Sequence, residues 1–192
     1  MVQVHKKGSI EVVCGPMFAG KTEELIRRIK RLEYAKKSFL VFKPKIDDRY
    51  SQTAIVSHNK NEKNAIEIEN STEILTYDLK DVEAVIIDEA QFFDDQIIWV
   101  ADKLADKGIR VIVGGLDRDF RGDPFGPMPG LLAIAEEVTK LTAICVKTGE
   151  PATRTQRLIN GKPAHYNDPI VLIGAEESYE PRSRDEHIVL GK

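Results

Sequence analysis

The sequence predicts an α/β fold, a mostly parallel sheet flanked by helices and followed by a small irregular C-terminal lid, and three observations carry it. Short apolar runs rich in β-branched residues alternate with helical patterns as far as residue 145. The runs lack the every-other-residue alternation of a half-solvated sheet, as befits strands covered on both faces. A glycine-rich segment joins the first run to the first helix. The 192 residues suffice for one such domain and a short appendage.

The strands are expected at Ile10–Val13, Phe39–Phe42, Ala84–Ile87 and Val111–Val113, with Leu141–Cys145 as a fifth. Between them, Leu25, Ile29 and Leu32 form one apolar stripe after Thr22. Ile97, Ile98, Val100, Ala101 and Leu104 mark a second helix, stopped by Gly108 at a C-terminal cap. Leu131, Leu132, Ala135 and Val138 mark a third. Strand–helix–strand repeats of this kind close with right-handed crossovers. Residues 45–64 are polar and without amphipathic pattern, which reads as a loop or a loosely held hairpin. From Lys147 onward, prolines and glycines punctuate a chain with one apolar run, Ile170–Ile173. That tail is too small for its own core, so a division at residues 1–144 and 145–192 is expected, the second part lying over the first as a lid or lasso.

A net charge of −3 supplies no global positive field, so neither nucleic acid nor an anionic membrane is an expected partner. The basic run of Arg27-Arg28, Lys30-Arg31 and Lys36-Lys37 reads as the solvated face of a helix. No apolar stretch approaches the roughly 20 residues of a membrane span. Met1–Cys14, interrupted by Glu11, reads as a strand rather than a secretory signal. Cys14 and Cys145 lie far apart, which makes a disulfide framework an unnatural reading and the cytosol the natural one.

Gly15-Pro16-Met17-Phe18-Ala19-Gly20-Lys21-Thr22 satisfies G-x-x-x-x-G-K-[ST], with a strand running in and a helix running out. The glycines let successive N–H groups turn inward around a phosphate, and the helix N-terminus adds about half a positive charge. Lys21 is placed to reach the β- and γ-phosphates of ATP, and the Thr22 hydroxyl to ligate Mg²⁺. The core is therefore expected to be a P-loop domain of the RecA-like kind. Asp88 and Glu89 end an apolar strand, the first suited to hold Mg²⁺ and the second to take a proton from an attacking hydroxyl. In an ATPase the same glutamate activates water, so the pair leaves the acceptor open. Three classes remain: a nucleoside phosphotransferase, a P-loop ATPase working on nucleic acid, and a nonenzymatic nucleotide-binding switch. A pure switch needs no base, which argues against the third.

Further residues carry a resemblance. Met17-Phe18 in the loop, Asp88-Glu89-Ala90-Gln91-Phe92-Phe93, Gly115-Leu116-Asp117-x-x-Phe120 and Pro124-Phe125-Gly126 resemble the cellular (type II) thymidine kinases in their bacterial form. So do Thr155-Gln156-Arg157-Leu158, Asp168-Pro169, Ile173-Gly174 and Tyr179, and the likeness spans about residues 8 to 188. It implies transfer of the γ-phosphoryl of ATP to the 5′-hydroxyl of thymidine, and of deoxyuridine, in pyrimidine salvage. Under it Glu89 is the general base, with Lys21 and Arg49 on the phosphates and Gln91 among the nucleotide contacts. Met17, Phe92, Leu116, Phe120, Phe125 and Tyr179 wall the thymine ring, and Thr155 sits near its methyl group. Backbone groups of Leu172, Ile173 and Gly174 bond the pyrimidine edge, and Asp47 serves the sugar or the metal. The resemblance further implies a homotetramer inhibited by its end-product triphosphate, dTTP.

One part of the pattern is broken. Such enzymes hold a structural zinc with two C-x-x-C pairs in the tail, whereas here the four positions read Cys145, Thr148, Ser183 and Glu186. One sulfur, with Glu186 and the adjacent His187, poorly supplies a tetrahedron. No bound zinc is expected, and the tail must be tethered by packing, by salt bridges of Arg182 or Arg184, or by subunit contacts.

Overall fold

A computed structural model describes residues 7–45, 65–170 and 177–192. Six parallel strands form its main sheet: β1 (Ser9–Cys14), β2 (Phe39–Pro44), β3 (Ile66–Ile68), β4 (Ala84–Ile87), β5 (Arg110–Gly115) and β6 (Glu137–Lys140), in the spatial order β3-β2-β4-β5-β1-β6. Between them run α1 (Lys21–Tyr34), α2 (Gln96–Asp106) and α3 (Met128–Ile134). One core packs β1, β4 and β5 against α2 and α3 through Ile87, Val100, Leu104, Val111 and Met128. The opposite face packs Val13, Ile86 and Ile112 under Leu25 and Leu32 of α1. Residues facing alternate sides of the same strands thus serve two apolar layers, which explains their unbroken apolar runs.

The first four predicted strands are present, each within two residues of its expected ends. The fifth is not. The sheet takes Glu137–Lys140 instead, and Ala143–Ile144 (β7) pairs with Pro151–Ala152 (β8) as a separate hairpin. The edge position is the reason: β6 has only β1 beside it, and three of its four residues are exposed, so no apolar run marks it. Its Val138 belongs to this strand, and the third helix stops at Ile134. β3 was also unmarked, being short and on the other edge.

Not all of the basic run on α1 is solvated. Arg28 is buried and bonds Glu11, Glu24 (2.9 Å), Glu137 (3.2 Å) and Thr139 (2.9 Å). Glu11 also takes a bidentate pair from Arg110 at 2.6 and 2.8 Å, so one network joins α1 to β1, β5 and β6. Burial alone would raise the pKa of Glu11, but Arg110 and Arg28 outweigh it and hold the carboxylate ionised below its usual range.

Beyond β8 the chain forms β9 (Arg154–Ile159), β10 (Lys162–Pro163) and β11 (Glu177–Arg182), an antiparallel sheet ordered β10-β9-β11. Arg182, expected to tether the tail, instead bonds within it, to Glu180 of the same strand at 2.6 and 3.0 Å and to the Glu186 carbonyl at 3.2 Å. The bonds that reach the core run from Tyr166 (2.9 Å) and Lys192 (2.8 Å) to Asp123 and from Arg121 to the Asp168 carbonyl (2.8 Å). Among the described residues no helix is long and apolar enough to cross a membrane.

Candidate active site

β4, β5 and β1 lie side by side, so their C-terminal ends bring the acidic turn and the glycine-rich loop together, the place where open parallel sheets bind ligands. The loop is built on unusual backbone. Gly15 has φ +145°, and a Cβ there would stand 2.4 Å from the Leu141 carbonyl oxygen. Gly20 caps α1 in the left-handed region, and Phe18, half exposed, shares that region at φ +65°. A non-glycine residue in that conformation costs about 1–2 kcal/mol, strain of the kind found at ligand-binding loops.

Lys21 opens α1, and its Nζ donates to the Pro16 carbonyl at 2.8 Å. Burial lowers its pKa, while the carboxylates of Glu89, Asp88 and Asp117 act to raise it. The ammonium and both predicted acids therefore share one electrostatic neighbourhood. Thr22 follows on the same first turn, beside the helix N-terminus.

Asp88 follows β4, and its Oδ1 accepts the Glu89 N–H at 2.8 Å. Glu89 stands just past the strand, at φ +50° and exposed, where the chain turns into a short 3₁₀ segment, Ala90–Phe92. Its carboxylate accepts a hydrogen bond from Gln91 Nε2 at 2.5 Å. Gly114 on β5 leaves the space Asp88 occupies, for a Cβ there would meet Leu25 Cδ1 at 2.5 Å and Asp88 Oδ1 at 3.2 Å.

Beside this cluster lies a second pocket, lined by Phe92, Leu116, Phe120, Phe125, Thr155 and Tyr179. All six were singled out in the sequence, from stretches far apart in the chain. Phe92 and Phe125 meet edge to face at 5.4 Å. The guanidinium groups of Arg157 and Arg121 lie 5.0 and 5.3 Å from the Phe120 ring. Met17 links the glycine-rich loop to this pocket, its N–H donating to the Thr155 hydroxyl at 3.1 Å. Asp47, Arg49, Leu172, Ile173 and Gly174 lie outside the described residues.

Sequence reasoning missed Arg118, Asp119 and Ile170 on the same lining. The first two fall in or next to the blank positions of Gly115-Leu116-Asp117-x-x-Phe120, and neither has a spacing that sets it apart. Asp119 accepts the N–H groups of Arg121 (2.9 Å) and Asp123 (3.1 Å), yet burial, the larger effect, raises its pKa. A larger cavity of about 910 Å³ opens where β1, β4 and β5 begin, among Lys7, Lys37, Lys80 and Glu83. It lies at the wrong end of the strands for this chemistry.

The family model for thymidine kinase matches residues 8–187. The chain belongs to the thymidine kinase family. Its reaction is the phosphorylation of thymidine with ATP, and the reading as a nucleic-acid ATPase falls. A glycine-rich loop suited to a phosphate chain, beside a pocket with apolar and aromatic walls suited to a base, is the pairing a thymidine kinase requires.

At the positions where such a kinase carries zinc sulfurs, this chain offers one thiol. Burial alone would raise the pKa of Cys145. The Thr148 hydroxyl and the N–H groups of Ser183, Lys147 and Thr148 bond its sulfur and bring it down to about 6. His187 is turned to the Phe120 carbonyl, 2.8 Å from its Nε2, and burial lowers its pKa. One sulfur, with His187 bonded elsewhere, does not make a tetrahedral zinc site.

Proposed function

We propose that the chain transfers the γ-phosphoryl group of ATP to the 5′-hydroxyl of thymidine, with Glu89 as general base. The observation that carries this is the shared neighbourhood of the Lys21 ammonium and the Glu89 and Asp88 carboxylates, beside an aromatic-walled pocket. Glu89 takes the hydroxyl proton as the sugar oxygen attacks phosphorus and the bond to the β-phosphate oxygen breaks, releasing ADP. Gly15 to Thr22 turn backbone N–H groups and the α1 N-terminus to the phosphates, and Lys21 adds a mobile positive charge.

The hydroxyl of Thr22 and the carboxylate of Asp88 are hard oxygen donors suited to Mg²⁺, which supplies charge neutralisation on the phosphates when bound. Phe92, Leu116, Phe120, Phe125, Met17 and Tyr179 sandwich the pyrimidine, and Thr155 lies at its edge. By resemblance alone, Arg49 approaches the phosphates, Asp47 the sugar or metal, and Leu172 to Gly174 the pyrimidine edge. A base read by main-chain groups admits deoxyuridine beside thymidine, while purines are too large.

We divide the molecule into a nucleotide-binding core, 1–144, and a lasso, 145–192, that functions without zinc. Two free, buried cysteines, Cys14 and Cys145, suit a reducing compartment such as the cytosol. A salvage role, a homotetramer and inhibition by dTTP complete the reading by family likeness. ADP release that depends on thymidine tests the reaction. Glu89→Gln is expected to cut turnover by roughly two to four orders of magnitude and leave ATP binding near normal; unchanged turnover removes Glu89 from its role.

A further inference from the structure

Gln91 does not react, yet it is 3% exposed and lies two residues beyond the base. Its Oε1 accepts the Leu116 N–H at 3.0 Å, and its Nε2 donates to a Glu89 carboxylate oxygen at 2.5 Å. The orientation of the amide follows from its neighbours. A backbone N–H can only donate and a carboxylate can only accept, so oxygen faces Leu116 and nitrogen faces Glu89. Two glycines make room for this residue. A Cβ on Gly115 would lie 2.8 Å from Gln91 Oε1, and one on Gly126 would lie 2.3 Å from the Gln91 carbonyl oxygen.

Glu89 itself is exposed and rides on a left-handed turn, so its carboxylate has several rotamers open to it. Gln91 restricts that freedom. It binds one carboxylate oxygen and leaves the other for the substrate proton. Its second bond fixes it to Leu116, which lines the nucleoside pocket. Resting on the assignment of Glu89 as base, we infer that Gln91 is a positioning residue that aims the Glu89 carboxylate and references it to the pocket wall through the Leu116 amide, rather than a contact to the triphosphate.

Gln91→Glu preserves shape and an acceptor for the Leu116 N–H but removes the donor to Glu89. It should lower kcat roughly 10- to 100-fold, the scale of a misplaced catalytic group, with KM for ATP within about twofold. Gln91→Met, which drops both bonds at similar volume, should do the same; if it fails to fold, Gln91→Glu alone decides. In a Glu89→Gln background the Gln91→Glu change should cost nearly nothing more, because the group being aimed is gone. An unchanged kcat, a loss residing in KM for ATP, or an equal loss in both backgrounds overturns the inference. Should Glu89→Gln itself retain turnover, the base assignment fails instead, and the two failures are told apart.

Discussion

The phosphate end and the nucleoside end of this site are built by opposite means. The first is framed by eight consecutive residues, Gly15 to Thr22, whose shape is set by a strand, a helix and strained dihedrals. The second is gathered from the acidic turn, from the loop after β5, from β9 and from β11, and its described lining is made of side chains. A site made of contiguous backbone is specified locally. One assembled from distant side chains depends on the whole fold, and the two ends should therefore fail differently.

The largest effect is expected at the phosphate end. Lys21→Met should lower turnover by roughly 10²- to 10³-fold, as for other preorganised charges at a transferring group, while thymidine binding measured by calorimetry stays near that of the parent. Comparable loss of thymidine binding would show the two ends to be one unit. At the nucleoside end, Phe92→Ala should raise KM for thymidine about tenfold, since stacking on a base is worth about 1–3 kcal/mol, with KM for ATP unmoved. A parallel rise in both constants would break the comparison, and the Met17–Thr155 bond would be the route.

The smallest effects belong to the lasso. The thiol of Cys145 is lowered from an ordinary 9.0 to about 6 in the folded chain. A depressed acid stabilises the fold fully above its unfolded value, and that contribution disappears as pH falls through the folded one. Ultraviolet absorbance of the thiolate should titrate with a midpoint near that value and vanish in Cys145→Ser, whereas burial pushes Cys14 up to about 11. The stability lost in Cys145→Ser should be greatest at alkaline pH and fade below the thiol's midpoint, with kcat near normal at neutral pH. Chelators should leave the melting temperature unchanged; a drop on chelation would restore a structural metal.

The same contrast explains what the sequence disclosed. The glycine-rich loop, its flanking strand and the stripe on α1 were legible because each is local: spacing alone dictates the geometry. Asp88 and Glu89 were legible as chemistry but not as conformation, since the left-handed turn at Glu89 leaves no mark at a non-glycine position. β6 escaped because an exposed edge strand needs no apolar residues, and the helical spacing that runs through Val138 is accidental. Arg28 escaped for another reason. A charge run looks solvated until Glu11 and Arg110, brought beside it by the parallel sheet, are known. Six pocket residues were found through family resemblance rather than physics, because nothing in the spacing of Phe92, Leu116 and Tyr179 announces that they meet.

β5 supplies no reacting atom, yet it ends in two glycines against which side chains of the site close tightly. A methyl group on Gly114 would press on Leu25 and Asp88, and one on Gly115 on the Gln91 amide and the Met128 sulfur, the closest approaches being 2.5 and 2.8 Å. In a saturation library, alanine at either position should be absorbed by a shift of these side chains, whereas larger residues should displace Asp88 or Gln91 and lower turnover.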